Sequence, residues 1–172
     1  MRRVKRLLLL ALAIAAALSA SISPVAAKAT KTAFWVVEGQ GFLLEPADST
    51  WVDDENVLHV RGEFAQRPFV RGDFQGYAQF TFNLNMDLAT GEGVGWGEVT
   101  LYVESWQGRE GTFQGHFAIK LPLVPDARKE LIAHGTGDME GMKLVGYFTD
   151  LPMEDGEERM LVEGTILDPH GD

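Results

Sequence analysis

Three histidines, His59, His116 and His134, fall in stretches of alternating polarity, and imidazole serves both as a metal ligand and as a general base. Alternate residues of a strand share a face. His59 therefore lies with Arg61 and Glu63, and His116 with Gln114 and Lys120, on faces that point to water. Three rings so placed do not converge, and the sequence implies no metal site and no cofactor. His134 with Asp138 and Glu140 is the better polar cluster, because a strand end and the turn after it would sit at the mouth of a barrel. Imidazole beside carboxylate has the groups for proton transfer, although a strand end and turn account for the same residues without chemistry. Asp53, Asp54 and Glu55 offer oxygens for a hard cation, but their spacing matches no calcium loop and reads as a solvated acidic turn. The chain has no cysteine and no Gly-x-Ser-x-Gly elbow, which leaves no nucleophile to name. The glycines at 91, 93, 95 and 97 lack the helix and Lys-Ser/Thr of a phosphate loop. No catalytic residue emerges, and the balance is against an enzyme.

The elements that would position such groups are strands. From Phe74 to Leu88 every even residue is apolar or small, and from Asp73 to Asp87 every odd one is polar or amphipathic, a period of two with one buried face. Seventeen residues from 72 to 88 would extend roughly 55 Å, so the strand must curl or break, with Gly72 and Gly76 as the bending points. The next segment sets Gly93, Gly95, Gly97, Val99, Leu101 and Val103 on one face and Trp96, Tyr102 and Trp106 on the other. Glycines opposite phenylalanines suit a curved hairpin. Residues 112–121 alternate as well, and Phe80, Phe82, Val99, Leu101, Phe117 and Ile119 are expected to share one apolar interior. The outward aromatics fit a homo-oligomer interface, a glycan platform, or packing under the acidic loop at 45–56. Further strands are expected at 33–37, 42–44, 57–64 (Leu58, Val60 and Phe64 on one face), 131–136, 142–149 and 160–167. Arg67-Pro68 breaks the third of these from the long strand, and 126–129 suits one helical turn. About eight strands, short turns and no amphipathic helix leave a sandwich or a closed barrel. Long glycine-bearing strands in hairpin order favour an all-β, single antiparallel eight-stranded barrel, which leaves no edge to protect.

Residues 1–27 read as a signal peptide: Arg2, Arg3, Lys5 and Arg6, an apolar run from 7 to 18, then Val25-Ala26-Ala27 as the cleavage site. The run is short for a membrane span, and no cysteine follows it for a lipid anchor. The expected organisation is leader at 1–27, flexible lead-in at 28–32, barrel at 33–168 and a disordered tail at 169–172, with the product secreted or held in the cell envelope, periplasmic or extracellular. The leader holds four of the 15 Lys and Arg and none of the 25 Asp and Glu. The remaining 145 residues thus carry 11 basic against 25 acidic groups, a formal charge of −14. Such a surface is set against nucleic acid and against anionic membranes once the leader is gone.

The segment His134-Gly135-Thr136-Gly137, then Asp138, Met139, Glu140, Gly141 and Met142, resembles the Gly-Thr-Gly-x-x-x-Gly signature of the allene oxide cyclase barrel-like group and, more distantly, of dirigent proteins. The glycine-bearing stretches at 71–76, 111–115 and 163–167 are similar to that group's other strand starts. The resemblance implies an eight-stranded barrel with an apolar interior, but carries over no catalytic residue. The expected function is an exported barrel that binds a small hydrophobic molecule without catalysis. A cyclase or isomerase acting on a lipid-like substrate in the same cavity, and a structural or interaction module with a filled core, are the alternatives. Strand count does not separate them, because eight strands enclose either a packed interior or room for one ligand.

Overall fold

The computed structural model describes residues 28–121 and 129–171. The expected leader, and the expected helical turn apart from Lys129, lie outside the described residues. The described residues form one antiparallel sheet of ten strands: β1 (Thr30–Glu38), β2 (Phe42–Glu45), β3 (Ser49–Val52), β4 (Val57–Gly72), β5 (Gln75–Asp87), β6 (Gly93–Trp106), β7 (Arg109–Leu121), β8 (Lys129–Gly137), β9 (Lys143–Glu154) and β10 (Glu157–Asp168). Neighbours from β4 to β10 pair in order, β10 pairs with β1, and β1 returns to β4 at Val36↔Gly72, Val37↔Arg71 and Glu38↔Phe69. Eight strands, β1 and β4 to β10, thereby close into a barrel. The lead-in expected at 28–32 already belongs to β1 from Thr30 onward. At the other terminus the His170 N–H donates to Asp168 Oδ1 at 2.9 Å, so the expected tail begins in a turn.

The ring is closed at one end and parted at the other. The β1 ladder on β10 stops at Glu38↔Met160, and β10 runs on to Glu157 with β9 as its partner. Beyond Glu38 the edge of β4 is covered by β2 and β3, with Leu43 opposite Ala65 and Trp51 opposite His59. β3 lies inside the expected loop at 45–56, where pairing to β4 draws Ser49–Val52 into the sheet.

Two features of β4 overturn the expected pattern. The strand runs straight through Arg67-Pro68, because the Pro68 carbonyl accepts from Gly39 N–H (2.8 Å) at the junction between β1 and β2. The amide hydrogen that proline lacks belongs to that same edge, so no ladder bond to β5 is lost. A bulge at Arg61-Gly62 then shifts the register from Val60↔Leu84 to Glu63↔Phe82. Gly62 has φ +73°, and a Cβ there would collide with the Asp48 carboxylate. One extra residue inverts the alternation. Val60 is on the inner face with Leu84, but beyond the bulge Ala65 and Arg67 point inward and Phe64 points out, contrary to the shared face expected for Leu58, Val60 and Phe64.

The long segment at 72–88 breaks where its glycines allow: Gly72 and Gly76 have φ +128° and +132° and flank the turn that starts β5. Opposite β5, a Cβ on Gly95 would lie 2.9 Å from Phe82 Cε2, and one on Gly97 2.9 Å from Phe117 Cε1. The rings of the inner face thus occupy the space the glycines vacate. The closed end is filled. Phe74 stacks on Phe34 (5.1 Å, 7°) and meets Trp106 edge-on (6.0 Å, 81°), and Leu101, Phe113, Leu131, Met139, Leu144 and Ile166 are fully buried around them. Trp106, expected to face out, is in this core because the β6–β7 register slips between Val103 and Trp106 and turns it inward.

Candidate functional site

Above that plug the interior widens. A cavity of about 380 Å³ opens toward the parted end of the barrel. Its wall on β5, β6 and β7 is built from Phe80, Phe82, Val99, Phe117 and Ile119, five of the six residues that parity assigned to the interior. Leu101, the sixth, shares their face but lies deeper, pairing with Ala78 and Phe113, and is fully buried in the plug. Phe82 and Phe117 are nearly parallel (6.3 Å, 5°), while Phe80 and Phe148 stand edge-on to Phe117 at 6.3 and 6.1 Å. These are offset and T-shaped geometries that aromatic quadrupoles favour.

The facing wall carries all the charges of the lining: Glu38 at the end of β1, Arg67 on β4, Asp150 on β9, and Glu158 and Arg159 on β10, set among Leu151, Met153 and Met160. Glu38 is only 1% exposed. Arg67 reaches across the parted seam to Glu158 (Nη2 to Oε2, 3.6 Å) and donates to the Gly39 carbonyl (3.3 Å). Arg159 lies 3.8 Å from Glu157. Glu38, Asp150 and Arg159 are engaged in interactions of their own as well. The cavity therefore has two unlike faces, one apolar and uncharged and the other with charges among aliphatic side chains.

The other polar groups singled out in the sequence lie elsewhere. His134 is exposed on the outer face of β8, opposite Gln114, and Asp138 and Glu140 sit in the β8–β9 turn at the closed end. They are not at the open mouth, because β8 runs from the parted end to the plug and its final turn lies beside the β6–β7 turn. A shallow depression there includes Asp138, Glu140, Arg109 and Asp168. Arg109 donates to Asp168 Oδ2 (2.9 Å) and ties the start of β7 to the end of β10. That hydrogen bond, with the one from His170 N–H, holds the Asp168 carboxyl below its ordinary range. His116 is exposed on β7. His59 is half-buried on the outer face of β4, where its Nε2 meets Asp53 Oδ2 (2.9 Å), its Nδ1 meets Asn85 Oδ1 (2.8 Å), and its ring stacks on Trp51 (4.6 Å). The Arg61 guanidinium lies over both Trp51 (5.3 Å) and Trp96 (5.0 Å) and donates to Asn85 and to the Leu84 carbonyl. Arg61 thus links Trp96 to Trp51 of the segment at 45–56, and Tyr102 is stacked on Tyr77 (4.7 Å). His59, Arg61, Arg109 and Asp168 are thus occupied in holding strands together.

Comparison with known proteins supports the fold alone. No family model matches the chain, and no curated protein does. A similar solved structure is a protein of unknown function from the DUF3224 family of Shewanella oneidensis MR-1. Its TM-score is 0.55 and its identity 17%, over 79% of this chain and 96% of that one. At that identity the likeness is one of architecture.

The aromatic wall was legible from strand parity; the ionic wall was not. Glu38 continues the inward series Phe34, Val36, and Asp150 continues Leu144, Gly146, Phe148, so the same alternation carried one step further finds both. Arg67 was hidden by the bulge, since without it an odd position on β4 reads as outward. Chemically, the arrangement can desolvate an apolar body against rings while offering hydrogen-bond donors and acceptors on one side.

Proposed function

We propose that this protein is a non-catalytic binding barrel that holds one small, largely apolar molecule in the cavity at its parted end. The observation that carries the reading is the contrast between the two halves of one interior. The same inward positions that fill the closed end completely leave about 380 Å³ beside Phe80, Phe82 and Phe117. Water against the aromatic wall is displaced at a gain when an apolar body takes its place. The volume falls in the ordinary range of small-molecule sites, roughly 300–1,000 Å³. The resemblance of the 134–142 segment to the allene oxide cyclase group enters only through the barrel and its apolar interior. The basic head and apolar run at the N-terminus support a site of action outside the cytoplasm; N-terminal sequencing of the exported protein should begin near Lys28, and an intact Met1 would refute export with cleavage.

Native mass spectrometry of the purified chain, followed by solvent extraction, tests binding directly. A retained apolar adduct is the expected result. Val99→Phe, which fills the cavity from the aromatic wall, should release the adduct without unfolding the barrel. No adduct, with no thermal stabilisation by any member of a hydrophobic panel, would leave the barrel as a structural or interaction module. The isomerase alternative has one feature in its favour, the carboxylates of Glu38 and Asp150 on the cavity wall. Turnover of an unsaturated or epoxidised lipid that is lost in Asp150→Asn would promote it.

A further inference from the structure

Resting on that binding reading, we propose a narrower ligand class: a flat ring compound with hydroxyl groups along one edge, rather than a straight acyl chain or a plain hydrocarbon. The charges of the cavity are segregated by strand, although Leu151, Met153 and Met160 stand among them. Phe82 and Phe117 present near-parallel ring planes from β5 and β7, and Glu38, Arg67, Asp150 and Glu158 face them from β1, β4, β9 and β10. A ring system gains offset or edge-on contacts on such a wall that a methylene chain does not. A plain hydrocarbon would take water from the opposite wall and return no hydrogen bond to it, which costs free energy at each polar group covered. An ionised carboxylate ligand is poorly suited too, since that wall holds Glu38, Asp150 and Glu158 against Arg67 and Arg159. A hydroxyl donates to a carboxylate and accepts from a guanidinium, so it satisfies both kinds of group.

Titration calorimetry on the mature chain with three probes, 2,7-dihydroxynaphthalene, naphthalene and dodecan-1-ol, tests this. The diol should bind at least about tenfold more tightly than either other probe, the expected return of two net hydrogen bonds. Glu158→Gln, at an exposed rim position that the fold tolerates, and Asp150→Asn should each narrow that ratio. Phe82→Leu should weaken the diol and naphthalene together and leave their ratio in place. Naphthalene or dodecanol binding as tightly as the diol overturns the proposal while the binding reading stands. If none of the three probes binds while the native protein retains a different extracted adduct, the ring class is wrong and the cavity is still a binding site. If no probe binds and no adduct is found, both readings fall.

Discussion

Phe80 and Gln79 are neighbours with opposite fates. Phe80 faces the cavity and packs against the core, while Gln79 donates to Gln66 on the outer face at 3.0 Å. Phe80→Asp places a charge against an aromatic wall and should cost about 2–4 kcal/mol, whereas Gln79→Asp should stay within about 1 kcal/mol. Equal melting shifts for the two would mean that the register is wrong. Leu101→Ala, in the filled half, should cost about 2–5 kcal/mol, since its neighbours cannot collapse onto the space. His59 is a different kind of residue. Both ring nitrogens face oxygen acceptors, Asp53 first and then Asn85, and this raises its pKa above the ordinary 6.5. Asp53 is lowered below 3.8, chiefly by the same bond to His59. A raised histidine pKa stabilises the fold fully below 6.5, and that contribution is lost as pH climbs through the folded value; a lowered aspartate pKa stabilises above 3.8, and that part is lost on acidification. The melting temperature should therefore fall on the alkaline side of pH 6.5, and His59→Gln should flatten that limb. An unchanged limb in the variant would show that the pair does not report on folding.

At the scale of elements, β4 decides the shape of the site. Its bulge sets Arg67 inward, and its sixteen residues give β1, β2 and β3 one edge to share. Gly62→Ala puts a Cβ where the Asp48 carboxylate lies, in a backbone conformation unfavourable to it. A loss of about 1–2 kcal/mol is expected by chemical denaturation. β3 depends on side chains as much as on its ladder, because Arg61 lies over Trp51 and Trp96, and His59 stacks on Trp51. Arg61→Ala should loosen β3 while the barrel stays folded. Faster amide exchange at Thr50 and Trp51, with no change at Leu101 and Phe113, is the outcome to look for.

For the whole molecule, one barrel has two kinds of interior. Amides around Leu101, Phe113 and Leu131, in the filled half, should exchange only through global unfolding, while those of β2 and β3 exchange through local opening. Ligand should slow exchange at the parted end first, along β5 and β7 beside Phe82 and Phe117. Uniform protection from end to end would contradict a plug with a cavity above it. The Arg109–Asp168 bond secures the closed end. Asp168→Asn should lower stability near neutral pH and remove part of the acid dependence below the ordinary aspartate range, since the carboxylate's contribution is present above 3.8.

The amino-acid sequence by itself determined the strand class, the barrel and most of the aromatic wall. Alternation is a local property: Phe80, Phe82, Phe117 and Ile119 share a face wherever their strands pair. The glycines at 95 and 97 likewise announced where rings would sit. Tertiary structure alone decided what depends on register between distant strands. The bulge at Arg61-Gly62 is one residue in the count of two paired strands and inverts everything after it. β3 exists because β4 offers it an edge, and Trp106 is buried because the β6–β7 ladder slips. Whether the interior is filled or open turned on volumes summed over eight strands, and the ionic wall on where β1 ends against β4 and β10. Those are long-range quantities, and a period of two carries no record of them.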